Sequence, residues 1–178
     1  MAKRRPTWAE SSDLMRNYYD QLWGYPIHDD RLLFEMLTLE LFQAGLSWEI
    51  IWRRRAAFER AFDHFVVRQV ASYGETDWVR LMTDAGIIRN RRKIAATINN
   101  AQVIKGMQDR GQRFADYLWA FVDHHPQRLR RAADEPMPAQ TDLSRRIARQ
   151  MKRDGFKFVG PTIVYSYITA VGLVNARL

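Results

Sequence analysis

The fold of this chain is decided by residues 31–48, RLLFEMLTLELFQAGLSW. Apolar residues lie on nearly every side of the helix that this stretch predicts, which Asp29 or Asp30 can cap and which Gly45 can end in the left-handed conformation open to glycine. Such a helix packs inside the molecule, so its Glu40 leaves water, and an ionised carboxylate is seldom buried without a partner. Glu40 therefore needs either a structural partner or a ligand.

Residues that typically begin or end helices recur along the rest of the sequence, while the alternating patterns of strands are nearly absent. Ser47 can cap a second helix, SWEIIWRRRAAFERAF, and Gly111 and Gly155 can stop two later ones. The last apolar segment, PTIVYSYITAVGLV, is rich in β-branched residues, yet Pro161 suits a first helical position and the length favours a helix. The pattern predicts an all-α fold, a compact helical globule in a single domain spanning residues 1–178.

The composition excludes several classes of site. The chain has no cysteine, which removes disulfides, thiolate metal ligands and cysteine nucleophiles and fits a reducing compartment. No apolar run reaches the roughly 18 residues of a membrane span, and the polar start lacks the apolar core of a signal peptide. His124 and His125 lack the spacing of a helical metal site. We therefore expect a cytoplasmic protein with no membrane partner.

Positive charge is in excess and is clustered. The sequence carries 28 Lys and Arg against 20 Asp and Glu, a net charge of +8, with clusters at residues 3–5, 53–55, 89–93, 128–131 and 145–157. Such a distribution indicates a polyanionic partner, and solvated helix faces on a basic protein are the alternative.

A helix-hairpin-helix pattern lies at about residues 77–108. It comprises two helices, TDWVRLMTDAG and NRRKIAATINNAQVIKGM, separated by a short turn, and Asn90 can cap the second. Open backbone amides at the turn and the helix start can bind a phosphate, with help from neighbouring cations that include Lys93. An ordinary helix turn with a basic flank is the alternative. The predicted phosphate contacts are Gly86, Ile88, Arg89, Arg91, Arg92 and, as a second candidate group, Lys157.

Aromatic residues lie close to Glu40 in the sequence. Trp8, Tyr18 and Trp23 precede its helix, and Trp48 follows the turn at its end, so that it can fold back near Glu40. A pocket with aromatic walls and an acidic floor favours a flat cationic ring, because the π faces and the carboxylate both attract positive charge. In the alternative, the aromatic residues fill the core and Glu40 pairs with an arginine or accepts from Tyr18.

The helix face of Glu40 also carries Gln43, three residues later, whereas Glu35 is rotated away. Only one of the two glutamates can face the pocket, so the paired carboxylates of a glycoside hydrolase are not predicted. The predicted ligand contacts are Glu40, Tyr18, Trp8, Trp48, Trp23 and Gln43.

Five separated segments cover most of the chain from Tyr18 to Asn175: YYDQLWGYPIHDD, LLFEMLTLELFQAGLSW, DAGIIRNRRKI, FADYLWAFVDH and GFKFVGPTIVYSYITAVGLVN. In this order they resemble the 3-methyladenine DNA glycosylase I family of the helix-hairpin-helix DNA glycosylase superfamily. The resemblance implies a helical protein that grips double-stranded DNA and excises N3-methyladenine, leaving an abasic site. It also implies that Glu40 recognises the alkylated base, that Trp48 and Trp8 stack on it, and that Tyr18 belongs to the pocket.

The chemistry of this reaction agrees with a pocket built around Glu40. Alkylation at N3 makes adenine cationic in the nucleotide, so the base leaves readily and little acid catalysis is required. Many superfamily members use an aspartate beyond the hairpin, which this family generally lacks, and no acidic residue lies between Asp84 and Asp109. We expect Glu40, the predicted catalytic residue, to bind and discriminate the base, with activation of water as a possible second role.

The sequence departs from the family in two places. Members often tie their termini together with zinc, but Pro6 and Tyr19 occupy two of the ligand positions and the sequence ends at Leu178, before the last family cysteine. We therefore expect no zinc and no other cofactor, with the termini held by packing alone. Leu41 and Phe42 stand where the family has a small residue and a glutamine, and they either reshape the pocket wall or add core volume.

The leading hypothesis is a monofunctional glycosylase that acts as a monomer on double-stranded DNA with alkylated bases and releases free 3-methyladenine. The alternative is a non-catalytic module that recognises alkylated or distorted DNA. Such a module binds DNA in a salt-sensitive manner without releasing a free base.

Overall fold

The computed structural model describes residues 5–129 and 135–177, and helices dominate them. The ten α-helices of these residues are α1 (Asp13–Gln21), α2 (Asp30–Gln43), α3 (Trp48–Arg53), α4 (Arg55–Ala61), α5 (Val67–Ala71), α6 (Glu75–Thr83), α7 (Arg91–Asp109), α8 (Phe114–Trp119), α9 (Asp142–Arg153) and α10 (Pro161–Ala170). Short 3-10 helices cover Thr7–Glu10, Asp63–Phe65 and Ala120–Val122. Within the described ranges, sheet is confined to β1 (Gln127–Arg128) and β2 (Val174–Asn175), which pair in parallel with Gln127 opposite Val174. The predicted all-α fold is confirmed.

The helix α2 is central to this arrangement. Every residue from Leu33 to Phe42 is buried, as its apolar composition predicts, and the helix packs against α3, α7, α8 and α10. The side chain of Asp29 caps the helix by accepting from the Leu32 amide at 2.8 Å, and Gly45 follows with a φ of +81°. Both predicted ends of the helix are confirmed. Glu40 therefore lies on the most deeply packed helix of the fold.

The helix predicted for residues 47–62 is interrupted at Arg54, which separates α3 from α4. Ser47 caps α3 as predicted, by accepting from the Ile50 amide. The Arg54 side chain turns away from both helices and donates to the carbonyls of Ala85 and Gly86 in the hairpin turn. The break thus lets one arginine support a turn more than thirty residues further along the chain.

The last apolar segment is helical only to Ala170, four residues short of the predicted end. Gly172 then adopts a φ of +82° and lies directly against the backbone of Tyr25 and Pro26, where a Cβ atom would meet three backbone atoms within 2.6 Å. Only glycine fits this close approach. The chain consequently leaves the helix and continues into β2.

Several predicted features fall outside the pocket or outside the described residues. Leu41 and Phe42 are fully buried in the core, so they add core volume and do not reshape the pocket wall. In the basic clusters, residues 3–4 and 130–131 lie outside the described residues. None of the described helices is both long enough and apolar enough to cross a membrane.

Candidate functional site

One cavity of about 540 Å³ collects the six residues predicted as ligand contacts. Trp8, at 37% exposed, lies toward the solvent side, and Glu40 is only 5% exposed. The structure therefore brings together side chains from an N-terminal 3-10 helix, α1, α2 and α3. Their contact with a ligand remains a prediction. The six residues are Trp8, Tyr18, Trp23, Glu40, Gln43 and Trp48.

The aromatic residues form a continuous wall around this cavity. The ring of Tyr18 lies 5.5 Å from that of Trp48 and 4.2 Å from that of Trp52 behind it, measured between centroids. Trp8 meets Trp23 edge to face at 5.4 Å, which is the favoured geometry for an aromatic pair. Because the rings fix one another, the cavity has a rigid apolar lining before any ligand enters.

Glu40 forms no hydrogen bond and no ion pair with the residues that the structure describes. Burial alone raises the pKa of its carboxyl from 4.5 to about 8. Neither an arginine nor the Tyr18 hydroxyl is bonded to it, so the structural partner that the sequence left open is not found among the described residues. A buried acid without a partner is a group that a ligand can satisfy.

Two further polar atoms in the cavity also have no hydrogen-bond partner in the described part of the chain: the Tyr18 hydroxyl and the Trp48 indole nitrogen, Nε1. Both atoms are buried. The indole N–H can only donate, the hydroxyl can donate or accept, and an ionised Glu40 can only accept. Together they offer a flat ligand both a donor and an acceptor. The sequence did not indicate that Trp48 provides a polar atom as well as a ring.

Glu35 lies away from this cavity, as its helical position predicts. Its carboxylate is fully buried, and it accepts from Arg55 at 2.5 Å and from Arg31 at 3.3 Å. The Arg55 guanidinium also stacks over Trp52 at 4.7 Å. Glu35 is therefore a satisfied structural acid, whereas Glu40 has no partner in the part of the chain that the structure describes.

The cavity is also lined by residues that sequence analysis missed. Four of them lie on one face of α10, at the spacing i, i+3, i+4 and i+7, and three belong to the loop before α9. Polar side chains at helical spacing within an apolar helix were the available signal for the first group. No local pattern marked the second group. The two groups are Thr162, Tyr165, Ser166 and Thr169, and Met137, Pro138 and Ala139.

Gln43 has a structural contact besides its place in the cavity. Its side-chain amide donates to the Leu46 carbonyl at 2.7 Å, and the Leu46 amide donates to the Gln43 carbonyl at 2.7 Å. These two bonds close the turn that returns the chain to Trp48. Gln43 therefore helps to place the indole of Trp48 over the pocket.

The hairpin between α6 and α7 has open amides, though not all those predicted. The Gly86 amide donates to the Asp84 side chain at 2.8 Å and is already paired. The amides of residues 87–89 and of Arg91 and Arg92 have no hydrogen-bond acceptor in the described part of the chain. Asn90 caps α7 as predicted, by accepting from the Lys93 amide. An anion can therefore bind at the turn and the first two residues of α7.

The cations predicted to contact DNA are exposed, but the neighbouring Lys93 is not. Arg89, Arg92 and Lys157 are exposed, and the exposed Arg91 stacks over Trp78 at 5.6 Å. Ile88 packs against the hydrophobic core. Lys93, expected to assist at the phosphate, is instead buried, because its ammonium is bonded inside the protein.

The residues at the family's zinc positions do not fit a metal site. Pro6 has no donor atom, Tyr19 is packed among aromatic rings, and the described residues contain no group of three or more metal-binding side chains. Arg177 lies there instead. Its guanidinium donates to the carbonyls of Tyr19 at 2.6 Å and Trp23 at 2.5 Å, and it stacks on Tyr19 and Tyr25. The prediction that packing alone holds this region was wrong, because an arginine clamp adds hydrogen bonds.

Replacing Arg177 with methionine is expected to lower the free energy of unfolding by about 1.5–3 kcal/mol, the usual loss for a hydrogen bond that involves a charged group. EDTA is expected to leave the thermal unfolding midpoint of the wild type unchanged. Calorimetry measures both quantities. Arg149→Met, which removes an exposed arginine on α9, is the control. If EDTA lowers the thermal unfolding midpoint, or if the purified protein contains a stoichiometric metal, then a metal holds this region and the Arg177 clamp does not.

Comparison with known proteins agrees with this geometry. Residues 8–178 match the family model described as Methyladenine glycosylase. The chain is 42% identical over 168 residues to DNA-3-methyladenine glycosylase 1 of Escherichia coli (strain K12), which covers 94% of this chain and 90% of that protein.

Two solved structures have the same fold. A crystal structure of 3-methyladenine DNA glycosylase I superposes with a TM-score of 0.94 at 42% identity, covering 98% of this chain and 96% of the other. The Staphylococcus aureus 3-methyladenine DNA glycosylase I, in a structure that addresses recognition of 3-methyladenine, superposes with a TM-score of 0.87 at 36% identity, covering 94% and 89%. The chain therefore belongs to the methyladenine glycosylase family.

Proposed function

We propose that this chain hydrolyses the N-glycosidic bond of N3-methyladenine in alkylated DNA, releasing the base and leaving an abasic site. The observation that supports this most directly is a set of three polar groups in one aromatic cavity that have no partner among the described residues: the carboxyl of Glu40, the hydroxyl of Tyr18 and the indole N–H of Trp48. Named relatives that act on the same base support it further.

Glu40 and Trp48 have roles that follow from the chemistry of the ligand. The amino group of the methylated base donates to Glu40, and the positive charge of the base favours the ionised carboxylate. The indole N–H of Trp48 donates to a ring nitrogen in the plane of the base, and the ring of Trp8 stacks on the face of the base. Neutral adenine lacks the positive charge, so it cannot compensate for burying an ionised carboxylate. Discrimination therefore resides in charge.

The hydrolysis step needs little from the protein beyond this recognition. The methylated base is a good leaving group because it departs as a neutral molecule when its bond to the sugar breaks. Extruding the nucleotide costs a few kcal/mol, which stacking and the charge-assisted hydrogen bond to Glu40 offset. Glu40 lies within the pocket that holds the base, where it can also orient the attacking water.

The hairpin supplies the grip on DNA. The amides of residues 87–89 and 91–92, which have no acceptor among the described residues, bind a backbone phosphate, and Arg89, Arg92 and Lys157 add sequence-independent attraction. The protein works as a monomer, since one chain carries both the pocket and the hairpin. Its DNA substrate and its bacterial relatives support a place in the cytosol, at the nucleoid.

Incubation of the purified protein with DNA treated with dimethyl sulfate tests this proposal. Chromatography of the supernatant is expected to show free 3-methyladenine, and alkali is expected to cleave the DNA at the resulting abasic sites. Untreated DNA of the same sequence is the control and is expected to release no base. Salt-sensitive binding to both DNAs without release would favour the non-catalytic DNA-binding module.

A further inference from the structure

Lys93 is the only lysine that the structure buries within the described residues, at 6% exposed. Its ammonium donates to the backbone carbonyls of Phe42 and Ala44, each at 2.7 Å. No carboxylate of the described residues forms an ion pair with it. Two of its three donors are thus committed to backbone carbonyls inside the protein, and this charge serves no step of the reaction described above.

The two carbonyls belong to the end of α2, where unpaired carbonyl groups give the helix terminus a partial negative charge. Glu40 lies two residues before Phe42, and Ala44 leads into the turn that places Trp48 over the cavity. Lys93 therefore binds the segment that carries the acceptor of the pocket, Glu40, and its donor, the indole N–H of Trp48.

The lysine itself comes from the other functional element. It is the third residue of α7, the helix that begins at the DNA hairpin, and its own amide donates to the Asn90 cap at 3.1 Å. A single side chain thus spans from the start of the hairpin helix to the end of the pocket helix. Arg54 makes a parallel connection from the α3–α4 junction to the carbonyls of Ala85 and Gly86.

We propose that Lys93 is a positioning residue. It fixes the position of the end of the Glu40 helix, and of the turn before Trp48, relative to the DNA hairpin. This inference rests on the proposed function, because the relative position of pocket and hairpin matters only if an extruded base must enter the pocket while the hairpin binds the flanking phosphates. A methionine could fill the same space without desolvating an ammonium group. Only a donor can fix the two carbonyls.

The position of Lys93 in the basic cluster of residues 89–93 suggests a competing role, contact with a DNA phosphate. The two roles give different results in salt titrations. A residue that binds phosphate contributes about one unit to the slope of log affinity against log salt. An ammonium buried against Phe42 and Ala44 contributes nothing to that slope.

The test compares Lys93→Met, Lys93→Gln, Arg92→Ala and Arg113→Met with the wild type. Lys93→Gln keeps an amide donor for one carbonyl if the methionine variant fails to fold. Arg113→Met is a matched control, since it removes another cation–carbonyl bond, to His28 at 2.6 Å, away from the cavity. Measurements are the affinity for free 3-methyladenine by tryptophan fluorescence, the salt dependence of binding to undamaged DNA, and kcat and KM for base release.

For Lys93→Met we expect the affinity for free base and kcat to fall about tenfold to hundredfold, the usual result of displacing a reacting group by about an ångström. Lys93→Gln is expected to fall between methionine and the wild type. The salt slope is expected to stay unchanged in both, whereas Arg92→Ala loses about one unit of slope and keeps its affinity for the free base. Arg113→Met is expected to retain wild-type kcat and base affinity.

Two outcomes overturn the inference. Wild-type base affinity and kcat in both Lys93 variants would leave Lys93 with a role in stability alone. A salt slope reduced by about one unit in those variants would make it a phosphate contact. Failure of the wild type to release base at all would instead contradict the proposed function, so the two failures are distinguishable.

Discussion

Replacing Glu40 with glutamine is expected to reduce kcat/KM for release of 3-methyladenine about 10- to 150-fold, because a hydrogen bond to a charged group is worth about 1.5–3 kcal/mol. Glutamine keeps the shape of the side chain and loses its charge, so the loss isolates the electrostatic contribution. The apolar cavity around Glu40 makes that contribution larger than it is in water. Single-turnover kinetics on alkylated DNA measures the loss.

The same substitution is expected to change the dependence of activity on pH. Burial raises the pKa of Glu40 to about 8, so in most ligand-free molecules this carboxyl is protonated at pH 7. The alkylated nucleotide carries a fixed positive charge and prefers the ionised form. In the wild type kcat/KM should therefore rise with pH until about pH 8, whereas in Glu40→Gln it should be flat over this range.

The matched control is Glu49→Gln, at the second carboxylate that lines the cavity. Glu49 is neutralised by Arg53 at 2.6 Å and is more exposed, so its loss is expected to change kcat/KM little. Equal base release by the wild type and Glu40→Gln would remove Glu40 from the recognition of the base. A retained pH dependence in Glu40→Gln would assign the titration to another group.

The stability of the empty protein gives an independent measure of Glu40. Its folded-state pKa of about 8 lies above the ordinary value of 4.5, so the stability that it contributes is complete below pH 4.5 and is lost as the pH rises through 8. At about 1.4 kcal/mol per pKa unit, Glu40→Gln is expected to be a few kcal/mol more stable than the wild type in alkaline buffer. Denaturant titrations across this pH range measure the difference.

Replacing Arg55 with methionine is expected to lower the free energy of unfolding by up to about 3–5 kcal/mol, the typical cost of removing the partner of a buried charge, because only the longer contact with Arg31 then remains. Glu35 is fully buried, and Arg55 is its nearer partner at 2.5 Å. Arg55 also stacks on Trp52, which contacts Tyr18 in the cavity wall. A lower affinity for free 3-methyladenine should accompany the loss of stability. Denaturant unfolding and fluorescence titration measure the two effects.

Arg31→Met is the control for this prediction, since Arg31 is more exposed and contacts the same carboxylate at 3.3 Å. Its effect should be the smaller of the two. The double variant Arg55→Met with Glu35→Gln removes the buried charge as well as its nearer partner and should recover much of the stability. A double variant as unstable as Arg55→Met alone would show that packing, and not the buried charge, dominates.

Local sequence patterns predicted the parts of the fold that depend on neighbouring residues. The caps at Asp29, Ser47 and Asn90 and the glycine end of α2 all follow from chemistry within four residues. The burial of Glu40 followed from the apolar faces of its own helix. The gathering of Glu40 with four aromatic residues was predicted from their order along the chain, and the resemblance to a known family gave that cluster its chemical meaning.

The features that were not predicted depend on contacts between distant residues. Lys93 lies in a basic cluster, and only the approach of α2, about fifty residues away in sequence, places carbonyl groups around its ammonium. The break at Arg54 likewise depends on the hairpin that its side chain supports. The loop of residues 137–139 reaches the cavity without any local pattern, because its position depends on where α9 and α10 pack.

The clamp between Arg177 and the carbonyls of Tyr19 and Trp23 has a consequence for a protein that acts on methylated DNA. Methylating electrophiles attack thiolates, which are the nucleophilic form of cysteine, and a thiolate tether would be consumed by the same reagents that create the damaged base. A guanidinium group remains protonated and is a poor nucleophile. The hydrogen bonds from Arg177 to the carbonyls of Tyr19 and Trp23 are therefore not destroyed by the reagent that methylates the DNA.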